Sequence, residues 1–314
     1  MATNKDSRTI AEQIALLQER GMLIKDEQKA AFYLNHISYY RLKGYWWDMQ
    51  TDRGNHTFAP NSYFEDVIKR YHFDRQLRLI LFDAIEFIEI ALRTKLIYHL
   101  SQAYGGLWYL DETLFEDADL HTRHIENLKN EFAMSGEIFA KDFRTKHPTE
   151  SPDPKIWISS DNPDVWLIFE VATFGTLSKI YKNLKHQLPQ KSLIANEFEL
   201  NSTNCFSSWL EAISYLRNIV AHHSRVWSRS MVKRITLPKS TRNLWLSPST
   251  ISIQEGISRP KPFLAVTTMI YLCNAINPDN DIKKKLIALF NDNPNIPISK
   301  LGFFNNWQRE PLWK

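Results

Sequence analysis

The sequence predicts an all-α protein: a helical core, a helical extension before it and a less regular region after it. Three observations carry that prediction. The stretch from Tyr63 to Gln102 contains no Gly or Pro. Glycine is scarce, with 9 in 314 residues, while leucine, isoleucine and lysine are plentiful, a balance that favours helices over turn-rich sheets. Helix-capping residues also stand before several runs whose apolar positions recur every three or four residues.

Taken in order, residues 8–35 predict two short helices. Thr9 caps the first, which carries Ile10, Ile14, Leu16 and Leu17, and Asp26 caps EQKAAFYLNHI. An aromatic-rich stretch, HISYYRLKGYWWDM, spans 36–49 and is interrupted by Gly44, and 50–61 reads as a loop. The long helix follows, with Ile68, Tyr71, Leu77, Ile80, Leu81, Ile85, Ile88, Leu92 and Leu96 on one stripe. Asn61 or Ser62 would cap it and Gly105-Gly106 would end it. Such a helix would reach about 60 Å, so a kink or break is expected. A shorter helix is predicted over 119–134, and 146–164 is a proline-rich connection. Asn162-Pro163 starts a broad-faced helix, DVWLIFEVATFGTLSKIYKNLK, with Pro at its first position. Residues 204–227 form another helix, with Trp166 and Trp209 both assigned to the core. Residues 235–262 predict loops with a short hairpin, 263–276 and 281–291 helices, and the aromatics of the C-terminal segment dock onto the body. The expected division is 1–60, 61–230 and 231–314.

Composition limits the function classes. The chain is 43% apolar and 24% charged, as in an ordinary folded globule. Cys205 and Cys273 are too few for a disulfide framework. The start MATNKDSRTIAEQ lacks an apolar signal core, and no stretch has the roughly 18 apolar residues of a membrane span. A cytoplasmic location, without membrane, is expected. Net charge is only +4, but Ala212 to Gln254 contains no Asp or Glu while holding Arg217, Arg225, Arg229, Lys233, Arg234, Lys239 and Arg242. A field of one sign attracts polyanions, nucleic acid first; a solvated basic face is the competing reading.

The stretch YLRNIVAHHSRVWSR, 215–229, concentrates the chemistry. Leu216, Ile219 and Val220 have helical burial spacing, yet Arg217, Asn218, His222 and His223 break into the run. Burying such groups without partners would cost a few kcal/mol each. On a helix Asn218 and His222 share a face, with Arg217 and His223 one step to either side, so Arg, Asn and His are predicted to converge on a phosphate-sized spot. Arg offers paired donors to phosphate oxygens, and His passes protons near neutral pH. RNA brings its own nucleophile, the 2′-hydroxyl, so no cofactor and no metal is required. His121 and His124 are the nearest approach to a metal-ligand set and read as a surface coincidence.

The segment Arg217 to His222, RNIVAH, matches the R-x4-6-H motif of HEPN domains in its R-N-x-x-A-H form. With HISYYRLKGYWW, FEDVIKRYHFDRQLRLILFDAIEFIEIALRTKLIYHLS and YGGLWYL, the chain resembles the Abi-like family of abortive-infection proteins over about residues 10–230. The resemblance implies a HEPN-type helical bundle and an endoribonuclease used as a toxin in anti-phage defence, in a toxin–antitoxin logic where a small RNA restrains it. It implies Arg217 and His222 as the catalytic pair with Asn218 in support. His223 has no role in the motif.

One Arg and one His make half a site. Related HEPN nucleases take the second set from another HEPN unit, most simply in a two-fold homodimer. An internal alternative is Arg93 and His99, which also fit R-x4-6-H, although Glu86 and Glu89 sit one turn before Arg93 and would hold it as an ion pair. Candidate RNA-binding residues are Arg225, Arg229, Lys233 and Arg234, with Arg41 and Lys43 beside Tyr39, Tyr40, Tyr45, Trp46 and Trp47. Those aromatics either stack bases or fill a core. The rival functions are an RNA-binding regulator that does not cut, a HEPN partner of a separate nucleotidyltransferase, and a helical scaffold.

Overall fold

The first helices begin where capping chemistry puts them. In a computed structural model, which describes residues 7–148 and 161–314, α1 spans Ile10–Glu19 with a full capping box between Thr9 and Glu12. Helix α2 spans Glu27–Ile37 and takes its cap from Asp26. Helix α3, Tyr39–Trp46, follows a sharp turn at Ser38. Gly44 does not interrupt α3 but lies inside it. A Cβ there would stand 3.2 Å from Nε of Arg225, so the glycine lets that side chain lie against the helix. Residues 50–61 form more than a loop: β1, Gln50–Asp52, pairs antiparallel with β2, Thr57–Phe58, with Gln50 opposite Phe58.

Helix α4 runs from Phe64 to Tyr104, 41 residues without a break. Neither Asn61 nor Ser62 caps it. Its first N–H groups are met by backbone, Phe64 donating to the Leu23 carbonyl at 2.9 Å, and Gly105 ends it at φ +78°. Leu77, Leu81, Ile85, Ile88, Leu92 and Leu96 are buried along the predicted stripe. Helix α5, Ala118–Met134, is capped by Asp117, and the unpredicted α6, Ile138–Lys146, follows. Most of the predicted connection over 146–164 lies outside the described residues.

The next predicted helix is divided in two. Helix α7, Val165–Ile168, passes through a 3-10 turn into an extended Ala172, and Thr173 then caps α8, Phe174–Asn183. Pro163 precedes the cap position instead of opening the helix. Trp166 is 49% exposed, against expectation, whereas Trp209 is fully buried. Helix α9, Pro189–Glu197, leads to α10, Thr203–Ala221, which stops well short of residue 227. The expected hairpin is instead a short helix, α11, Pro248–Glu255. Helices α12, Phe263–Ile276, and α13, Ile282–Asp292, form where predicted.

Helices α8, α9, α10, α12 and α13 all pack on α4, which is the axis of the molecule. Helix α12 is buried from Phe263 through Cys273, so the chain beyond residue 231 contributes a core element. The C-terminal aromatics Phe303, Trp307 and Trp313 close over Phe290 in edge-to-face contacts. Among the described residues no helix is long and apolar enough to cross a membrane. The fold is all-α with one minimal hairpin.

Candidate active site

Helix α10 buries Trp209, Ile213, Leu216, Ile219 and Val220, which fixes its rotation and leaves the polar residues of RNIVAH at its margin. The helix closes in a Schellman motif: the Ser224 N–H donates to the Ile219 carbonyl at 2.8 Å and the His223 N–H to Val220 at 2.9 Å. The left-handed position that glycine normally fills there is held by His223, at φ +54°. A side chain in that conformation costs roughly 1 kcal/mol. It points His223 away from the path a continued helix would take.

The turn after α10 is held from below by Asp74 on α4, a carboxylate with no exposed surface. It accepts the N–H groups of Trp227 at 2.7 Å and Val226 at 3.1 Å, the Tyr45 hydroxyl at 2.7 Å, and the guanidinium of Arg78. Burial pushes the Asp74 carboxyl above its ordinary value, against the pull of these donors. The turn is tied sideways to α3 as well: Arg41 donates to the His223 carbonyl, and Arg225 donates to the Gly44 carbonyl at 2.6 Å.

A cleft of about 800 Å³ opens between α2–α3, α4 and the end of α10. Arg41, Arg75, Arg78 and Arg217 line it together with His36 and His223, and Tyr71, Leu79, Phe82 and Val220 form its apolar wall. Asp and Glu are absent from the lining. Arg78 is paired with Asp74, and Arg41 gives a donor to His223. Among the described residues, the side chains of Arg75 and Arg217 make no hydrogen bond or ion pair. The cleft is therefore a concentration of cation with no carboxylate on its lining, suited to phosphate.

The predicted convergence is met only in part. Arg217 and His223 reach the cleft, whereas Asn218 and His222 are exposed on the neighbouring flank and do not line it. The N–H of His222 caps its own helix by donating to the Asn218 carbonyl at 3.0 Å. Arg93 is engaged elsewhere: it pairs with Glu89 at 3.1 Å and donates to the carbonyls of Phe169 at 2.9 Å and Ala172 at 3.0 Å, which the break between α7 and α8 leaves open. Burial raises the Glu89 carboxyl, and Arg93 and Arg217 both pull it back. His99 bonds Glu197 at 2.9 Å.

The basic run is spent largely on structure. Arg229 donates to the Arg225 carbonyl at 2.7 Å, and Lys233 pairs with Glu211. Arg225 lies half-buried, where desolvation lowers its pKa. Arg234 is exposed, and Lys43 lies over the Trp47 ring at 5.6 Å. Tyr45 and Trp46 are core, while Tyr40 is 79% exposed. His121 is not at the surface: it is buried, 2.8 Å from the Tyr109 carbonyl and stacked on Phe115. Among the described residues no cluster of three or more His, Cys, Asp or Glu could hold a metal.

His36, Arg75, Arg78 and Asp74 carry no prediction from sequence. The available signal was Leu79 and Phe82, two large apolar residues on the solvent side of α4 with Arg75 one turn earlier. Residues 32–228 match the model of a protein family described as Abi-like protein. No curated protein and no solved structure matches the chain.

Proposed function

The chain belongs to the Abi-like protein family, and on that premise we propose that it is a metal-independent endoribonuclease acting as a toxin in abortive infection. The observation that carries this reading is the cleft at the end of α10, lined by four arginines and two histidines without one carboxylate. Arg217 holds the non-bridging oxygens of the scissile phosphate as charge builds on them. His222 transfers a proton, Asn218 supports it, and the substrate's 2′-hydroxyl attacks the adjacent phosphorus. The products are a 2′,3′-cyclic phosphate and a 5′-hydroxyl. Arg41 and Arg75 bind neighbouring phosphates, with Lys43 and Arg234 outside them. A small RNA that occupies the same surface would restrain the enzyme.

Cleavage takes one proton and gives one, and His222 accounts for only one of the two. A second copy of the chain is one source of the other, with Leu79 and Phe82, 57% and 43% exposed on the cleft wall, available to a homodimer. The absence of His222 from the cleft lining favours a second reading, in which the cleft binds RNA without cutting it.

The deciding test compares wild type with Arg217→Ala and His222→Ala proteins on total cellular RNA in EDTA. Cleavage by wild type alone, with cyclic phosphate ends, is the expected result. Salt-sensitive retention of RNA by wild type, with no products, would replace the nuclease with the binding protein.

A further inference from the structure

The cleft that Arg217 lines also contains a histidine whose tautomer is set by a backbone carbonyl. His36 lies in the last turn of α2, and its Nδ1 is 2.8 Å from the backbone carbonyl of Phe32. A carbonyl can only accept, so Nδ1 carries the proton and the lone pair of the neutral imidazole sits on Nε2. The Phe32 ring lies beside the imidazole at a tilt, with centroids 4.4 Å apart. A backbone carbonyl fixing one ring nitrogen so that the other can take a proton is how catalytic histidines are commonly oriented.

The wall carrying His36 is also fastened to the wall carrying Arg217. Arg41, three residues beyond Ser38, donates to the carbonyl of His223, and Arg225 reaches back to Gly44 on the same helix. The charged and titratable groups that line the cleft with His36 are Arg41 from α3, Tyr71, Arg75 and Arg78 from α4, and Arg217 and His223 from the end of α10. A substrate phosphate neutralises this field, and the 2′-hydroxyl of the preceding ribose needs a base on the side away from the leaving oxygen.

We propose that His36 is that base, a catalytic residue supplied by the same chain as Arg217, an inference that rests on the nuclease reading above. Nε2 of His36 takes the proton of the 2′-hydroxyl as its oxygen bonds to phosphorus. The bond from phosphorus to the 5′-oxygen breaks, and that oxygen takes a proton from the imidazolium of His222. The two histidines end in exchanged protonation states, and solvent restores them. The base and the phosphate-holding Arg217 then come from one chain.

The test uses the full-length protein and a short oligoribonucleotide that wild type cuts. His36→Ala is expected to bind it as wild type does and to cut it about 10²- to 10⁴-fold more slowly, the usual contribution of a general base. His36→Asn, which keeps a donor for the Phe32 carbonyl but offers no base, is expected to match it, so a misfolded alanine variant does not spoil the result. An oligoribonucleotide with sulfur in place of the 5′-oxygen at the scissile bond has a leaving group that needs no proton. It should restore His222→Ala and leave His36→Ala slow. Co-expressed His36→Ala and Arg217→Ala chains should stay inactive together. Wild-type rates in both His36 variants, a loss confined to RNA affinity, rescue of His36→Ala by the sulfur substrate, or activity recovered in the mixed chains would each overturn the assignment. Wild type that binds and never cuts fails at the parent reading, a different result from a His36 variant that cuts normally.

Discussion

Two segments of this chain carry an arginine and then a histidine with four to six residues between them, and the structure treats them in opposite ways. On α4, Arg93 is taken up by Glu89 and by two carbonyls at the break between α7 and α8, and His99 is held by Glu197. At the end of α10, Arg217 faces a cleft without carboxylates, and Asn218 and His222 stand in solvent. The spacing is similar and the chemistry is not. A polar group whose hydrogen bonds are filled by the fold stabilises the fold, and one left open beside a cleft is available to a ligand.

The sharpest way to break this contrast is at Arg217. Arg217→Ala should lower RNA cleavage by about 10²- to 10³-fold, as expected for losing one transition-state donor, while thermal unfolding stays where it was. A fall in melting temperature as large as the Arg93 variant's would erase the distinction. Next comes Asp74, which holds the turn that α10 ends in. Asp74→Ala leaves Arg78 buried and unpaired and should cost about 3–5 kcal/mol in denaturant unfolding. Arg93→Ala should cost about 1–3 kcal/mol, since two carbonyls and a half-buried Glu89 lose their donor. Its cleavage rate, measured below the unfolding transition, should equal that of wild type.

The smallest effect is a pH slope at a site remote from the cleft. Lys191 is fully buried, its amine donating to the carbonyls of Lys182 at 3.0 Å and Leu184 at 2.5 Å, with Glu116 near enough to oppose the desolvation only in part. Burial lowers its pKa to about 8 from an ordinary value of 10.5. Between those values the unfolded chain holds a proton that the folded chain does not, so this lysine makes stability rise with pH across the interval. Unfolding of Lys191→Met should show a shallower rise than wild type between about pH 8 and 10. Equal slopes would mean that the amine is not desolvated as the structure implies.

Local signals made much of the fold legible. Thr9 and Asp26 placed two helix starts, Gly105 placed the end of α4, and the stripe from Leu77 to Leu96 found the buried face of the longest helix. The errors fall where a distant residue decides. Gly44 reads as a breaker until Arg225 is seen against it, and the division between α7 and α8 is stabilised by Arg93, more than seventy residues away in sequence. His223 in a left-handed turn ends α10 at a point where helix periodicity alone runs on.

The same division holds at the site. By itself the sequence determined the all-α class, the family and the position of RNIVAH, because caps, periodicity and short motifs are written within a few residues of one another. Only the tertiary structure decided which cations face the cleft: Arg41, Arg75 and Arg217 come from three separate helices, while Arg225, Arg229 and Lys233 of the basic run are spent on backbone carbonyls and Glu211. A charge is read from one residue, but whether it is neutralised depends on what the folded chain brings beside it.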